Sequence, residues 1–184
     1  MAKKILVAGI LDTKGEEIKF LSQRVKAAGG DPIVLELSVG HEVGWADISL
    51  SQVVGKVGKK PEDIFALDRK GASDLVAEGA IKLVNEMREK GEADGIIAYG
   101  GSMGASIATR IMQSLPIGFP KIMLTTMASG DVSPYVGTRD ICMIYPIAEA
   151  GLNKVTRQIL NNAAAAIVGM ASPPTMEGIE EKPL

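Results

Sequence analysis

Aromatic residues are scarce in this sequence, at 4% of 184 residues, so its core must be aliphatic, as in the buried sheets of α/β proteins. The one cysteine, Cys142, excludes a disulfide within the chain and fits a reducing compartment. The one histidine, His41, leaves no histidine cluster for zinc. A net charge of −2 gives no basic footprint for nucleic acid. No apolar run reaches the length of a membrane span. The apolar start after Lys3 and Lys4 is too short for a signal core, and Asp12 interrupts it. These absences lead to the expectation of a cytoplasmic protein that engages neither nucleic acid nor membrane.

What is present is an apolar fraction of 46%, ample for one core in a chain of this length. Short apolar runs alternate with helical stripes, which implies a parallel sheet with right-handed crossovers. Ile5 to Leu11 reads as strand one. A helix carrying Ile18, Leu21, Val25 and Ala28 follows, stopped by Gly29 and Gly30. Pro32 to Leu37 is strand two. Between Ser38 and Gly71 the pattern is weak, with a short helix expected over 47–55 and another from Pro61. Ser73 is expected to cap a helix bearing Val76, Ala80, Leu83, Val84 and Met87. Strand three spans 94–98 and strand four Pro120 to Thr125. Gly130, Pro134 and Gly137 argue against a good helix in the loop 126–140. Ile141 to Tyr145 is strand five, of undetermined direction. An amphipathic helix from Ala150 to Gly169 aligns Val155, Ile159, Ala163 and Ile167. The expected organisation is one domain over 1–170 and a Pro- and Glu-rich linker or tail over 171–184. The expected fold is a three-layer, doubly wound, mainly parallel sheet in the order 2-1-3-4-5.

The stretch with most chemical content is Tyr99-Gly100-Gly101-Ser102-Met103-Gly104-Ala105-Ser106, where strand three turns into a helix carrying Ile107, Ile111 and Leu115. Glycine lets backbone approach a ligand, and a helix start offers unpaired N–H groups with partial positive charge. Together they favour phosphate. The turn lacks the lysine of a P-loop and does not follow the first strand as a dinucleotide motif would. The plain alternative is that its glycines only permit close strand-to-helix packing.

Loops after other strands open at the same carboxyl edge, where ligands of such sheets bind. In one, Lys14 could meet a phosphate, Asp12 a magnesium ion or a hydroxyl, and Thr13 lies between them. The plain reading makes Lys14 a surface residue and Asp12 a helix cap. In the other, Thr125, Thr126 and Ser129 could bond phosphate or ribose, Gly130 supplies backbone, and Asp131 could hold magnesium through water. Local turn hydrogen bonding is their ordinary role. Arg139 is a surface arginine or a phosphate partner. His41 with Cys142 is a formal nucleophilic pair, but Cys142 sits in an apolar run and reads as core. Glu36 and Glu42 as paired carboxylates have no support from pattern.

The segments 100–109, 115–123, 125–132 and 134–137, with the opening Gly9-Ile-Leu-Asp-Thr-Lys-Gly-Glu16, closely resemble the Tm-1-like ATP-binding family, also called UPF0261. The resemblance runs from about Ile5 to Met170. It implies a Rossmann-like domain that binds ATP, alone or with magnesium, and assembles as a homodimer or higher homo-oligomer. It places the nucleotide on the Asp12 loop, the Gly100 to Ser106 turn and the Thr126 to Asp131 loop. It also implies a second α/β domain, in cis or as a separate chain, beyond Lys182-Pro183-Leu184. Ser38-Val39-Gly40 stands where the family tends to have Asp-Val-Gly, so a ribose contact is weaker here or falls to Glu36. Ala105 replaces a frequent threonine. Other functional classes stand beside nucleotide binding. One is an oligomerisation or partner-binding module with a structural glycine turn. The other is an enzyme half-site for a small phosphorylated or carboxylated metabolite, which lacks an evident acid/base pair.

Overall fold

The computed structural model describes residues 1–148 and 151–173. Its sheet is entirely parallel, in the order β2-β1-β3-β4-β5, with β1 at Lys4–Gly9, β2 at Asp31–Glu36, β3 at Gly95–Tyr99, β4 at Lys121–Leu124 and β5 at Cys142–Ile144. The order matches the expectation from sequence, and the direction of β5, which pattern left open, is parallel to β4.

Strand side chains alternate between two apolar layers. Leu6, Ala8, Ile96, Ala98 and Met123 face one, together with α2 (Leu50–Gly55), α3 (Pro61–Phe65), α4 (Arg69–Glu89) and α5 (Ser102–Ser114). Ile5, Val7, Ile97, Tyr99, Ile122 and Leu124 face the other, with α1 (Leu11–Ala27) and α7 (Lys154–Met170). A sheet covered on both faces explains why β1 and β3 read as unbroken apolar runs.

Several element boundaries differ from the sequence reading. β1 ends at Gly9, because the Ile10 carbonyl already accepts helical hydrogen bonds from the Thr13 and Lys14 amides. Asp12, Thr13 and Lys14 are thus the first turn of α1 rather than a loop, and Lys14 departs from helical geometry at φ −125°, ψ 24°. Helix α4 starts at Arg69 under an Asp68 cap that accepts the Gly71 amide at 2.8 Å; Ser73 is buried inside it. Helix α7 starts at Lys154 with Asn153 as cap, not at Ala150, which lies outside the described residues, as does most of the expected tail. Val155 is half exposed, and the buried stripe runs through Thr156, Leu160, Ala163, Ala164 and Ile167 instead. The loop after β4 folds into a 3-10 turn at Thr126–Ser129 and a short helix α6 at Ser133–Val136. Cys142 is exposed, because β5 is an edge strand, so it is not core.

Two close contacts fix neighbouring segments to each other. Lys121 is fully buried at the start of β4, where its ammonium donates to the Pro116 and Phe119 carbonyls at 2.8 Å each and pairs with Asp140 at 2.7 Å. Burial raises the Asp140 carboxyl, but Lys121 and the Gly118 amide outweigh it and hold the group below its usual range. Gly79 of α4 lies against the backbone of α2, where an added Cβ would meet the Val53 carbonyl at 2.3 Å. That partner is backbone and cannot swing away. Gly79→Ala is expected to lower stability by about 1–3 kcal/mol, measured by urea unfolding, with Gly55→Ala, where a Cβ meets nothing, as the neutral reference.

Candidate functional site

Crossover helices of a parallel sheet run opposite to the strands, so their amino ends gather at the carboxyl edge. A cavity of about 570 Å³ opens there beneath the starts of α1, α4 and α5. Its wall is Ile10 and Asp12–Lys14 from the head of α1, Val39 and Gly40 from behind β2, Arg69 from α4, and Gly100–Gly104 from the turn into α5.

The glycine turn shapes the wall in two ways. Gly100 is demanded by packing, since a Cβ there would lie 3.0 Å from the Cα of Gly104. Its amide donates to the Leu124 carbonyl at 3.1 Å, so Gly100 anchors the turn to β4 and is not an open donor as expected. Gly104 differs: a Cβ there would find only ordinary contacts, the nearest at 3.9 Å to Ile10. Packing does not require glycine at 104, yet the position lines the cavity. The first bond of the α5 ladder runs from the Ala105 amide to the Gly101 carbonyl at 2.8 Å. The amides of Ser102, Met103 and Gly104 precede that ladder and carry the positive end of the helix dipole.

The head of α1 is pinned across the cavity. Asp12 Oδ2 accepts the Gly40 amide at 2.8 Å and the His41 amide at 3.3 Å, and the Asp12 amide donates to Ser38 Oγ at 3.2 Å. Ser38, where a ribose-facing acid was missing, thus serves as an acceptor for α1. Asp12 Oδ1 is buried and has no hydrogen-bond partner among the described residues. The Lys14 ammonium stands 3.9 Å from Glu17 Oε1 and 6.0 Å from the centre of the Tyr99 ring. Arg69 is exposed on the opposite wall. Sequence reading missed it because the α4 cap was placed at Ser73; Asp68, three residues before Gly71, was the signal that would have put Arg69 at the helix start.

The third expected loop stands apart. Thr125 is buried, and its hydroxyl caps the 3-10 turn by accepting the Met127 amide. The Thr126 carbonyl accepts the Ser129 hydroxyl, and Gly130 closes the turn onto Met127. Asp131 accepts the amide and hydroxyl of Ser133, which hold its carboxyl below the usual range. None of these lines the cavity, nor does Ser106, exposed one turn along α5. His41 lies beyond β2 and Cys142 begins β5, at opposite edges of the sheet, which rules out their pairing.

Glu36 is fully buried and supports the wall from below. It accepts the Val43 amide at 2.7 Å and the Leu50 amide at 3.3 Å, so its carboxylate is occupied by the excursion after β2 and does not reach the cavity. Burial raises its pKa above the ordinary 4.5 and outweighs the lowering by its hydrogen bonds.

A family model described as "Uncharacterised protein family (UPF0261) N-terminal domain" matches residues 3–175. A UPF0261 protein of Clostridium tetani is 40% identical over 100% of this chain and 46% of its own length. One from Rhizobium meliloti is 39% identical over 95% of this chain and 44% of its own length. The tomato ToMV resistance protein Tm-1(GCR237) is 27% identical over 91% of this chain and 24% of its own length. The chain therefore spans less than half the length of these relatives.

The raised Glu36 pKa means the folded chain keeps this proton to higher pH than the unfolded one. Its contribution to stability is full below about pH 4.5 and declines as pH rises through the native value. Glu36→Gln, which keeps one acceptor, should remove that decline from unfolding free energies measured at a series of pH values, and Glu36→Ala should destabilise at every pH by leaving the Val43 and Leu50 amides unpaired.

Proposed function

Because this chain belongs to the UPF0261 family, matching its N-terminal domain, we propose that its carboxyl-edge cavity binds the phosphates of an adenine nucleotide, ATP in the first instance. The observation that carries the reading is the row of Ser102, Met103 and Gly104 amides, outside the helix ladder and lining a cavity, beside a glycine that packing does not require. Such a row complements phosphate oxygens without any side chain. Arg69 and Lys14 supply positive charge from two further directions, Arg69 through a planar fork suited to phosphate. Ile10, Val39 and Met103 give the wall apolar surface for a base. The volume falls within the usual range for small-molecule sites.

Asp12 is an acid in a site built for anions. A magnesium ion carried in with the phosphates suits the Asp12 carboxylate, whose Oδ1 lacks a partner. The described residues hold no cluster of metal-ligating side chains that would bind such an ion unaided. The loop 126–131 is left with a supporting role behind the glycine turn.

Isothermal titration tests the reading with ATP, ADP and adenosine, each with and without magnesium. ATP should bind at least about tenfold more tightly than adenosine, and Arg69→Gln should weaken ATP by about 5- to 20-fold. Gly104→Ala should raise stability by about 0.5–1 kcal/mol, since alanine is the better helix former, while weakening ATP by at least about fivefold. Gly101→Asp should abolish binding. Absence of heat with every nucleotide would overturn the proposal, and unchanged affinity in Gly104→Ala would return the turn to a purely structural role.

A further inference from the structure

The two edges of the sheet are finished differently. At the β2 edge the Val34 amide donates to Asp47 Oδ2 at 2.8 Å, the Glu36 amide to the Ile48 carbonyl at 3.0 Å, and the Ile48 amide to the Val34 carbonyl at 3.0 Å. Ile48 forms a parallel bridge with Leu35, and Pro32 has no amide to leave open. That edge is closed by the chain itself. At the β5 edge, the Ile144 carbonyl accepts the Thr125 amide and so faces β4. Backbone groups alternate along a strand, which turns the Met143 amide and carbonyl outward. No described residue bonds to them.

Exposed edges are ordinarily guarded by lysine, proline, bulges or inward charges. β5 is only three residues long and Pro146 follows Tyr145, so the edge is short and stopped by proline, but the run Cys142-Met143-Ile144-Tyr145 itself carries no lysine or other charge. Beyond Pro146 stands Ile147, which is 60% exposed and is held at φ 68°. A β-branched residue in the left-handed region costs about 1–2 kcal/mol, and here that conformation presents an apolar side chain to solvent. An uncharged edge with open backbone groups and a strained apolar residue beside it are features of a surface that another segment covers.

We propose that the β5 edge is the docking strand for the C-terminal half of the longer UPF0261 proteins, which adds an extended segment alongside Cys142–Ile144 and packs on Tyr145 and Ile147. The relatives from Clostridium tetani and Rhizobium meliloti devote more than half of their length to sequence beyond what this N-terminal domain matches, so a covering body exists in them. Strand addition supplies main-chain bonds for Met143 and apolar cover for its neighbours. The proposal is independent of the nucleotide reading, since β5 lies two strands from β3, whose far side pairs with β1.

Hydrogen exchange on the full-length Clostridium tetani relative tests it. The amide aligned with Met143 should be protected by at least about 100-fold over an unstructured amide. In the present chain alone, the Met143 amide should exchange within about tenfold of an unstructured one. Cys142 should then react with a thiol reagent as an open cysteine, in a species of monomer mass by light scattering. An unprotected aligned amide in the full-length relative overturns the proposal. A dimer of the present chain with a shielded Cys142 gives the edge to a second copy and overturns it as well. Protection in the monomer that disappears on removing residues 174–184 gives the edge to the chain's own tail, which likewise overturns the proposal.

Discussion

The approach of β3 to α5 sets the geometry of everything at the carboxyl edge. Gly100 lies so close to Gly104 that a Cβ on it would stand 3.0 Å from the Gly104 Cα, so no side chain fits at the end of the strand. The strand therefore passes directly into the helix, and the first amides of α5 emerge at the end of the sheet rather than along its face. The Gly100 amide is fixed to Leu124, which ties the turn to β4 and holds those amides in place.

The rest of the cavity is arranged around that turn by polar pins. Asp12 joins the head of α1 to Gly40 and His41, Ser38 receives the Asp12 amide, and Glu36 gathers Val43 and Leu50 beneath. These contacts turn a stretch of weak pattern into a fixed wall. They use carboxylates stabilised by backbone N–H groups rather than by a cation. Glu36 shows the energetic cost of that choice in its raised pKa. On the amino edge the logic is inverted: a buried lysine, Lys121, is satisfied by two carbonyls and one acid. Both ends of the sheet are thus locked, and the carboxyl end carries an unpartnered acceptor, Asp12 Oδ1.

The difference between the two sheet edges fits a chain that corresponds to less than half of its relatives' length. β2 is finished locally, by residues a few positions downstream. β5 is not, and its apolar composition resembles an interior surface more than an exterior one.

Local pattern was enough to establish the alternation of strands and helices, the strand order and the glycine turn at the end of β3, while Asp12 and Lys14, read as loop, lie in the first turn of α1 and the Gly100 amide is spent on Leu124. Apolar runs and glycine stops report buried strands and helix ends directly, because each depends on neighbours in sequence. Arg69 was hidden, because its relevance depends on where α4 begins and on which wall that start joins. The Thr125 to Asp131 loop was legible as polar and irregular, but its hydroxyls and acid satisfy their own backbone. Cys142 read as core from its apolar neighbours, and only the position of β5 at the edge exposed it. What a residue is next to along the chain was written in the sequence; which donors remain unspent, and which strand has no neighbour, were settled by packing, because both depend on groups brought together from distant parts of the chain.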